Sequence, residues 1–570
     1  MTLNNFEVPS KIEFSGSNYI TLSNDIQTKI IRCTDEAIFI DTQCAKNLLH
    51  GFYSGTNDAE KAIISSLFSA LLGVKVTENP VQEILDSLFD DEYAKHCHLF
   101  NASKYYDWMR DQIRKPIRLD KITFYMAKNG LAWNVRSIED SPEIHGRENC
   151  TRLLAQVIDT LIDKIKNILK LLDKVKMITL FLNNIISLDA LIDEFERTYK
   201  SNIGCHKNKD KAQKIVLNEL ADLIFMKITC RIGIEIANCE CLDSGGQIPG
   251  EIEVNRISSL INLLMQYGGL SDEIKYDCAP SSLTVSPLGD ILSEKDYAES
   301  VFIPYAIQMI KNQTSYKVNE YSNEFSIESS LHETIRDIDR DLPSKFIEAW
   351  KDEFSFTVEE GFKIVDSIIN IGIENGLLII NDTYDSLVDK IAVFCDRQLV
   401  ESFLNRFCLQ SRNKWSDIPS EYKLSDIYPW KFQRKLSLVS KSIIRSGQKL
   451  IIAPSLLMES FKYNLISFYE ARFSAEQATS LKMKKWIGFK SNQVGMDFNQ
   501  EVSREFQKFD SMRVYTEVKL THLLNKKFSE DFGDIDVLVY HETTGLLLVI
   551  ECKKLHTARN PSEVARQLYD

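Results

Sequence analysis

The chain has 570 residues, enough for three or four domains at roughly 100–200 residues each. Apolar residues make up 44% and charged residues 26%, a globular balance that excludes a disordered or fibrous chain. A formal net charge of −13 excludes a protein that binds nucleic acid over its whole surface.

The first residues lack a basic start followed by an apolar run, so no secretory signal is expected. The 12 cysteines are scattered without a CxxC pair, which reads as free thiols in a reducing cytoplasm. Residues 58–72 carry Ala62, Ile63, Leu67 and Leu71 at helical spacing. His96, Cys97, His98, Cys205 and His206 are set aside as zinc ligands, because adjacent residues do not converge on one ion. Residues 151–182 form the longest periodic run, with Leu154, Val157, Ile158, Leu161 and Ile165 on one stripe. Residues 177–192, which overlap its end, are the most apolar stretch. Asn183, Asn184 and Asp189 interrupt that stretch, which reads as too short and too polar for a bilayer, so no membrane partner is expected. Residues 212–237 repeat the helical pattern.

Asp243-Ser-Gly-Gly-Gln-Ile-Pro-Gly250 is a loop, and further breaks fall near Ala279-Pro280, Leu342-Pro343 and Ile418-Pro419. The expected division is residues 1–285, mainly helical; 286–475, a second mainly helical region; and 476–570, an α/β domain. The expected fold class is therefore multidomain α + α/β. Residues 481–570 carry 14 Lys+Arg against 13 Asp+Glu, whereas the remainder carries 54 against 68. Lys482, Lys484, Lys485 and Lys490 open that segment as a basic cluster able to contact phosphates, or simply as a solvated helix face.

Beyond about Trp486 the pattern reads helix, strand, strand, strand, helix, with the last helix starting near Pro561. Gly533-Asp-Ile-Asp-Val-Leu-Val-Tyr540 and Leu546-Leu-Leu-Val-Ile-Glu-Cys-Lys553 flank a five-residue turn ending in Gly545, a hairpin signal. A turn centred near Thr543 sets Asp536 across from Glu551, with Lys553 on the same face as Glu551. Residues 546–550 are apolar on both faces, which predicts a central, doubly covered strand. Carboxylates at the end of a buried strand need neutralising, and oxygen donors suit Mg²⁺ or Mn²⁺. The bland alternative makes Glu551 and Lys553 strand-end surface charges and leaves Asp534 and Asp536 to shape a turn.

At these residues, over about 495–570, the chain resembles the PD-(D/E)xK, or restriction-endonuclease-like, nuclease superfamily. The resemblance implies a restriction-endonuclease-like α/β domain and a Mg²⁺-dependent endonuclease. It implies metal binding by Asp536, Glu551 and the Cys552 backbone carbonyl, with Lys553 as the catalytic lysine. Asp534 is the second-choice acid. Glu501 stands for the glutamate that the family often adds on its first helix, with Glu505 a turn later, and Gln567 for a glutamine on the following helix. The family core carries one more strand after that helix, so the C-terminal end is expected to be incomplete. The expected partner is nucleic acid, DNA ahead of RNA, in prokaryotic restriction, repair or phage defence. The helical region would sense, target or assemble, through a homo-oligomer or a protein partner. The alternatives are a catalytically silent nuclease-like binding module and a helical scaffold for protein association.

Overall fold

The computed structural model describes residues 20–23, 26–33, 38–44, 57–72, 79–89, 109, 112–204, 208–293, 342–431, 434–526, 533–553 and 565. The chain forms two compact units. One comprises Met1–Asp107, Leu188–Ile224 and Asn312–Ser329; the other comprises Trp108–Ser187, Phe225–Lys311 and Ser330–Asp570. The fold class is multidomain α + α/β.

The first unit opens on strands within the region expected to be mainly helical. Strands β1 (Ile20–Ser23), β2 (Ile26–Cys33) and β3 (Ile38–Cys44) form an antiparallel sheet in that order. Ile and Thr are dense in these runs, and such residues favour a pleated surface over a helix. Helices α1 (Asp58–Leu72) and α2 (Asn79–Leu88) follow, and α1 keeps the expected bounds.

In the second unit, α3 (Lys121–Lys128) and β4 (Glu143–His145) precede α4 (Arg147–Leu169). The α4 stripe buries Leu154, Val157, Ile158, Leu161 and Ile165, as its periodicity predicts. The periodic run then stops: α5 (Lys174–Gly204) is a separate helix. The break at Leu172 and Asp173 is paired by the loop after α6 (Lys209–Glu240). Asp173 and Lys174 donate N–H groups to the carbonyls of Gln247 and Leu242, both at 2.9 Å. Gly246 is required there, since a Cβ would lie 2.4 Å from the Asp173 nitrogen. Helix α7 (Glu251–Lys275) packs along α4, and β5 (Ser282–Val285) joins β4 to β6 (Ile291–Ser293).

By length and composition one helix among the described residues, Lys174–Phe195, is apolar enough to cross a membrane; 56% of that window is buried within the fold. Burial raises the thiols of Cys230 and Cys241 to about 12, so neither is a reactive thiolate at neutral pH. The His96, Cys97, His98, Cys205 and His206 set lies outside the described residues.

The stretch expected as a second helical region also contains a sheet. Helices α8 (Ser344–Phe354), α9 (Val358–Glu374), α10 (Tyr384–Ile391) and α11 (Arg397–Arg406) surround strands β7 (Ile380–Thr383), β8 (Cys408–Gln410), β9 (Ile443–Ser446) and β10 (Lys449–Ile452). Their order is β7-β10-β9-β8, with β8 and β9 parallel. Strands of three or four residues are too short to show periodicity. Phe346, Trp350, Phe403 and Phe461 centre the core beneath them, with α12 (Pro454–Tyr469) across it.

Helix α13 (Leu481–Gln507) begins in that core, where Met483, Trp486 and Ile487 are buried. It leads to β11 (Met512–Lys519), the short α14 (Leu520–Leu523), β12 (Asp534–His541) and β13 (Leu546–Ile550), an antiparallel sheet in the order β11-β12-β13. The helix–strand–strand–strand order matches the expectation, but the covering does not. β12 is central, and among the described residues β13 is an edge strand with Leu547 54% and Val549 64% exposed. An apolar run records composition, not whether neighbours cover it. The helix expected near Pro561 lies outside the described residues, apart from Ala565, which is helical.

Candidate active site

The N-terminus of α13 is pinned by a buried acid. Glu353 on α8 accepts the N–H groups of Thr479 at 3.0 Å and of Ser480 at 2.7 Å, and it pairs with Arg406. Ser480 caps the helix by accepting the Met483 N–H at 3.1 Å. The Trp486 Nε1–H donates to the Phe468 carbonyl at 3.1 Å. These ties fix the axis of α13 and hence the placement of Asn499, four turns on.

The hairpin register is the one the turn length implies. Val537 pairs with Ile550, Leu538 with Val549 and Val539 with Leu548, so continuing the ladder by one step sets Asp536 beside Glu551. Gly545 closes the turn with φ 70°, donating its N–H to the His541 carbonyl at 2.9 Å. Just past the end of β13, the Cys552 N–H donates to Asp536 Oδ2 at 2.7 Å. Asp536 therefore lies directly against the Glu551-Cys552-Lys553 segment.

On the other side of β12, Thr516 pairs with Val537 and Val518 with Ile535, which leaves Glu517 opposite Asp536. Glu517 has φ 52° and interrupts the ladder. Asn499, 5% exposed, joins the two acids: its Nδ2 donates to Glu517 Oε1 at 2.6 Å and to Asp536 Oδ1 at 3.1 Å. Charge fixes this amide orientation, since the flipped form would aim its oxygen at two carboxylates. The Asn499 Oδ1 is buried and has no hydrogen-bond partner.

Glu517, Asp536 and Glu551 thus stand in a row across three strands. Among the described residues none of the three has a Lys or Arg ion-pair partner. Desolvation, and then the carboxylates of Asp536, Glu551 and Glu517, push the Cys552 thiol up, so it stays protonated at neutral pH. The donors are all oxygen, which suits Mg²⁺ or Mn²⁺ better than zinc. Among the described residues no three His, Cys, Asp or Glu side chains converge as a ready set of metal ligands. Glu517, Glu551 and Lys553 are exposed, so they can turn without repacking a core.

The other expected residues lie apart. Asp534, exposed, pairs in register with Lys519, away from Glu551. Glu501 is exposed and lies about 200° around α13 from Asn499, so the helix turns an amide rather than that acid toward the row. Lys482 pairs with Glu348 at 3.5 Å, Lys490 contacts Gln493 Oε1 at 3.4 Å, and Lys484 and Lys485 are exposed. Lys485 is about 21 Å along the helix from Asn499 at 1.5 Å per residue. Gln567 lies outside the described residues. The sequence reading missed Asn499 and Glu517. The β11–β12 connection is no tight turn from which a register follows, and an amide beside a candidate glutamate carries no signal of its own.

No curated protein and no solved structure matches the chain. A family described as "Anti-phage protein Upx-like" matches residues 17–570. That match carries a role in phage defence and is silent on a PD-(D/E)xK nuclease. It covers nearly the whole sequence, and the chain belongs to the Upx-like family of anti-phage proteins.

Proposed function

We propose that this phage-defence protein hydrolyses phosphodiester bonds of nucleic acid, DNA ahead of RNA, at the end of its C-terminal sheet with Mg²⁺ or Mn²⁺. The observation that carries this reading is the 2.7 Å hydrogen bond from the Cys552 N–H to Asp536, which seats the acid of β12 against Glu551 and Lys553. Asp536, Glu551 and the Cys552 carbonyl would hold the cation. Such an ion polarises a phosphate and lowers the pKa of a bound water to make a nucleophile near neutral pH. The Lys553 ammonium orients that water or steadies the charge developing on the phosphate. The lysines of α13 contact the backbone of a longer substrate, and the helical remainder senses, targets or assembles in the cytoplasm.

The test is incubation of the full chain with linear and circular DNA and with RNA, in Mg²⁺, Mn²⁺ or EDTA. Cleavage that EDTA abolishes and that falls by about 10²-fold or more in Lys553→Ala is expected. Intact nucleic acid with both ions, or full activity in Lys553→Ala, contradicts the reading. A second reading is a nuclease-like module that binds without cutting. The absence of converged ligands among the described residues and the exposed apolar edge of β13 favour it. Salt-dependent binding without cleavage would support it.

A further inference from the structure

We infer that α3 docks the protein on an anionic phospholipid surface, with Ile122, Tyr125 and Met126 in the headgroup layer and basic side chains on the phosphates around them. Helix α3 is mounted with its apolar side outward. Ile122, Tyr125 and Met126 fall at i, i+3 and i+4, one face of the helix, and are 70%, 60% and 72% exposed. Thr123, Phe124 and Ala127 on the other side are half-buried. The helix is pinned in that pose. Asn184, buried on α5, accepts the Ile117 N–H at 2.7 Å and donates to the Ile117 carbonyl at 3.1 Å. Asp120 caps α3 by accepting the Thr123 N–H at 2.7 Å, and it donates its own N–H to Asn255 Oδ1 on α7 at 3.0 Å. Past the far end, the Gly130 N–H donates to the Leu288 carbonyl at 2.8 Å. Ile252, one turn before Asn255, and Leu288 add exposed apolar side chains near the two ends.

Charge selects the occupant. Residues 112–128 carry Arg114, Lys115, Arg118, Lys121 and Lys128 against Asp120, a net of +4 in a chain whose total is −13. The first four of these basic residues are exposed, and α3 itself contains no acid. An apolar stripe with a basic surround fits an anionic bilayer surface, and a tyrosine ring suits headgroup depth. The same face on a second copy would set like charges against each other across a two-fold axis. Lying on a headgroup layer asks for one apolar face and not for the roughly 20 apolar residues of a span, so this surface escapes the hydropathy argument by which no membrane partner was expected. It is independent of the metal-dependent reading above.

The experiment sediments the full chain with vesicles of phosphatidylglycerol and phosphatidylcholine in equal parts, or of phosphatidylcholine alone, with a melting curve for each variant. Wild type is expected to sediment with the anionic vesicles and to stay in solution with the neutral ones. The double variants Ile122→Ser with Met126→Ser, and Lys115→Glu with Lys121→Glu, are each expected to weaken that binding by about 10-fold or more. Both should melt with wild type, since the four side chains are exposed. Failure of wild type to sediment with anionic vesicles, or equal binding to both kinds, overturns the inference. So does affinity within about two-fold of wild type in either double variant. Self-association that the Ile122→Ser, Met126→Ser variant loses, without vesicle binding by wild type, assigns the stripe to a second copy and overturns it too.

Discussion

At Glu517 the backbone takes φ 52°, where a side chain with a Cβ costs about 1–2 kcal/mol relative to the right-handed regions. Glu517→Gly is expected to raise stability by up to about 1 kcal/mol, since glycine's gain in the native state is partly offset by its freedom in the unfolded chain. A lower urea midpoint for that variant would show that the conformation is not strained. A second residue-scale prediction concerns Asp366 on α9. Desolvation lifts its carboxyl above the usual 3.8, against the pull of Lys462. The folded state then binds more protons than the unfolded one, so stability falls as pH rises from 3.8 through the raised value. Asp366→Asn should raise the melting temperature at pH 7 and leave it unchanged near pH 3; equal gains at both would contradict the assignment. Asp536 and Glu551 were legible in the sequence because a five-residue turn fixes their register. Glu517 was not, because residues 520–533 between β11 and β12 fix none.

The element that organises the candidate site is α13. Its first turns belong to the aromatic core around Trp350, and its later turns present Asn499 to the sheet. Glu353, whose side chain is fully buried, links the two by accepting the Thr479 and Ser480 N–H groups and pairing with Arg406. Glu353→Ala strands those partners and is expected to cost about 3 kcal/mol in denaturant unfolding. A cost below about 1 kcal/mol, typical of an exposed ion pair, would contradict the role given to it. The elements with long apolar stripes, α1, α4 and α6, were readable from periodicity alone. The four-residue strands β9 and β10 were not, and the apolar run of β13 was read as a central strand although it lies on an edge among the described residues. Strand composition reports β tendency, whereas cover depends on neighbours that pattern does not name.

For the whole molecule, the expected boundary at residue 476 cuts through packing rather than through a linker. A fragment of residues 476–570 would bare Met483, Trp486 and Ile487, each 5% exposed or less in the full chain. Such a fragment is expected to aggregate on expression, whereas one starting before α8 stays soluble; a well-behaved, monodisperse 476–570 would contradict this packing. The α + α/β class and the C-terminal order of elements were legible from the sequence. The sheets at 20–44 and 380–452 were not, because their strands are short or lie in regions dominated by helical pattern. Family membership gives the molecule its role in phage defence, and the row of carboxylates gives that role a chemistry to test. The most direct test follows phage and host nucleic acid by size in infected cells that express either wild type or Lys553→Ala at matched levels. Fragmentation with wild type and intact nucleic acid with Lys553→Ala is predicted. Protection from phage with nucleic acid equally intact in both would contradict the account.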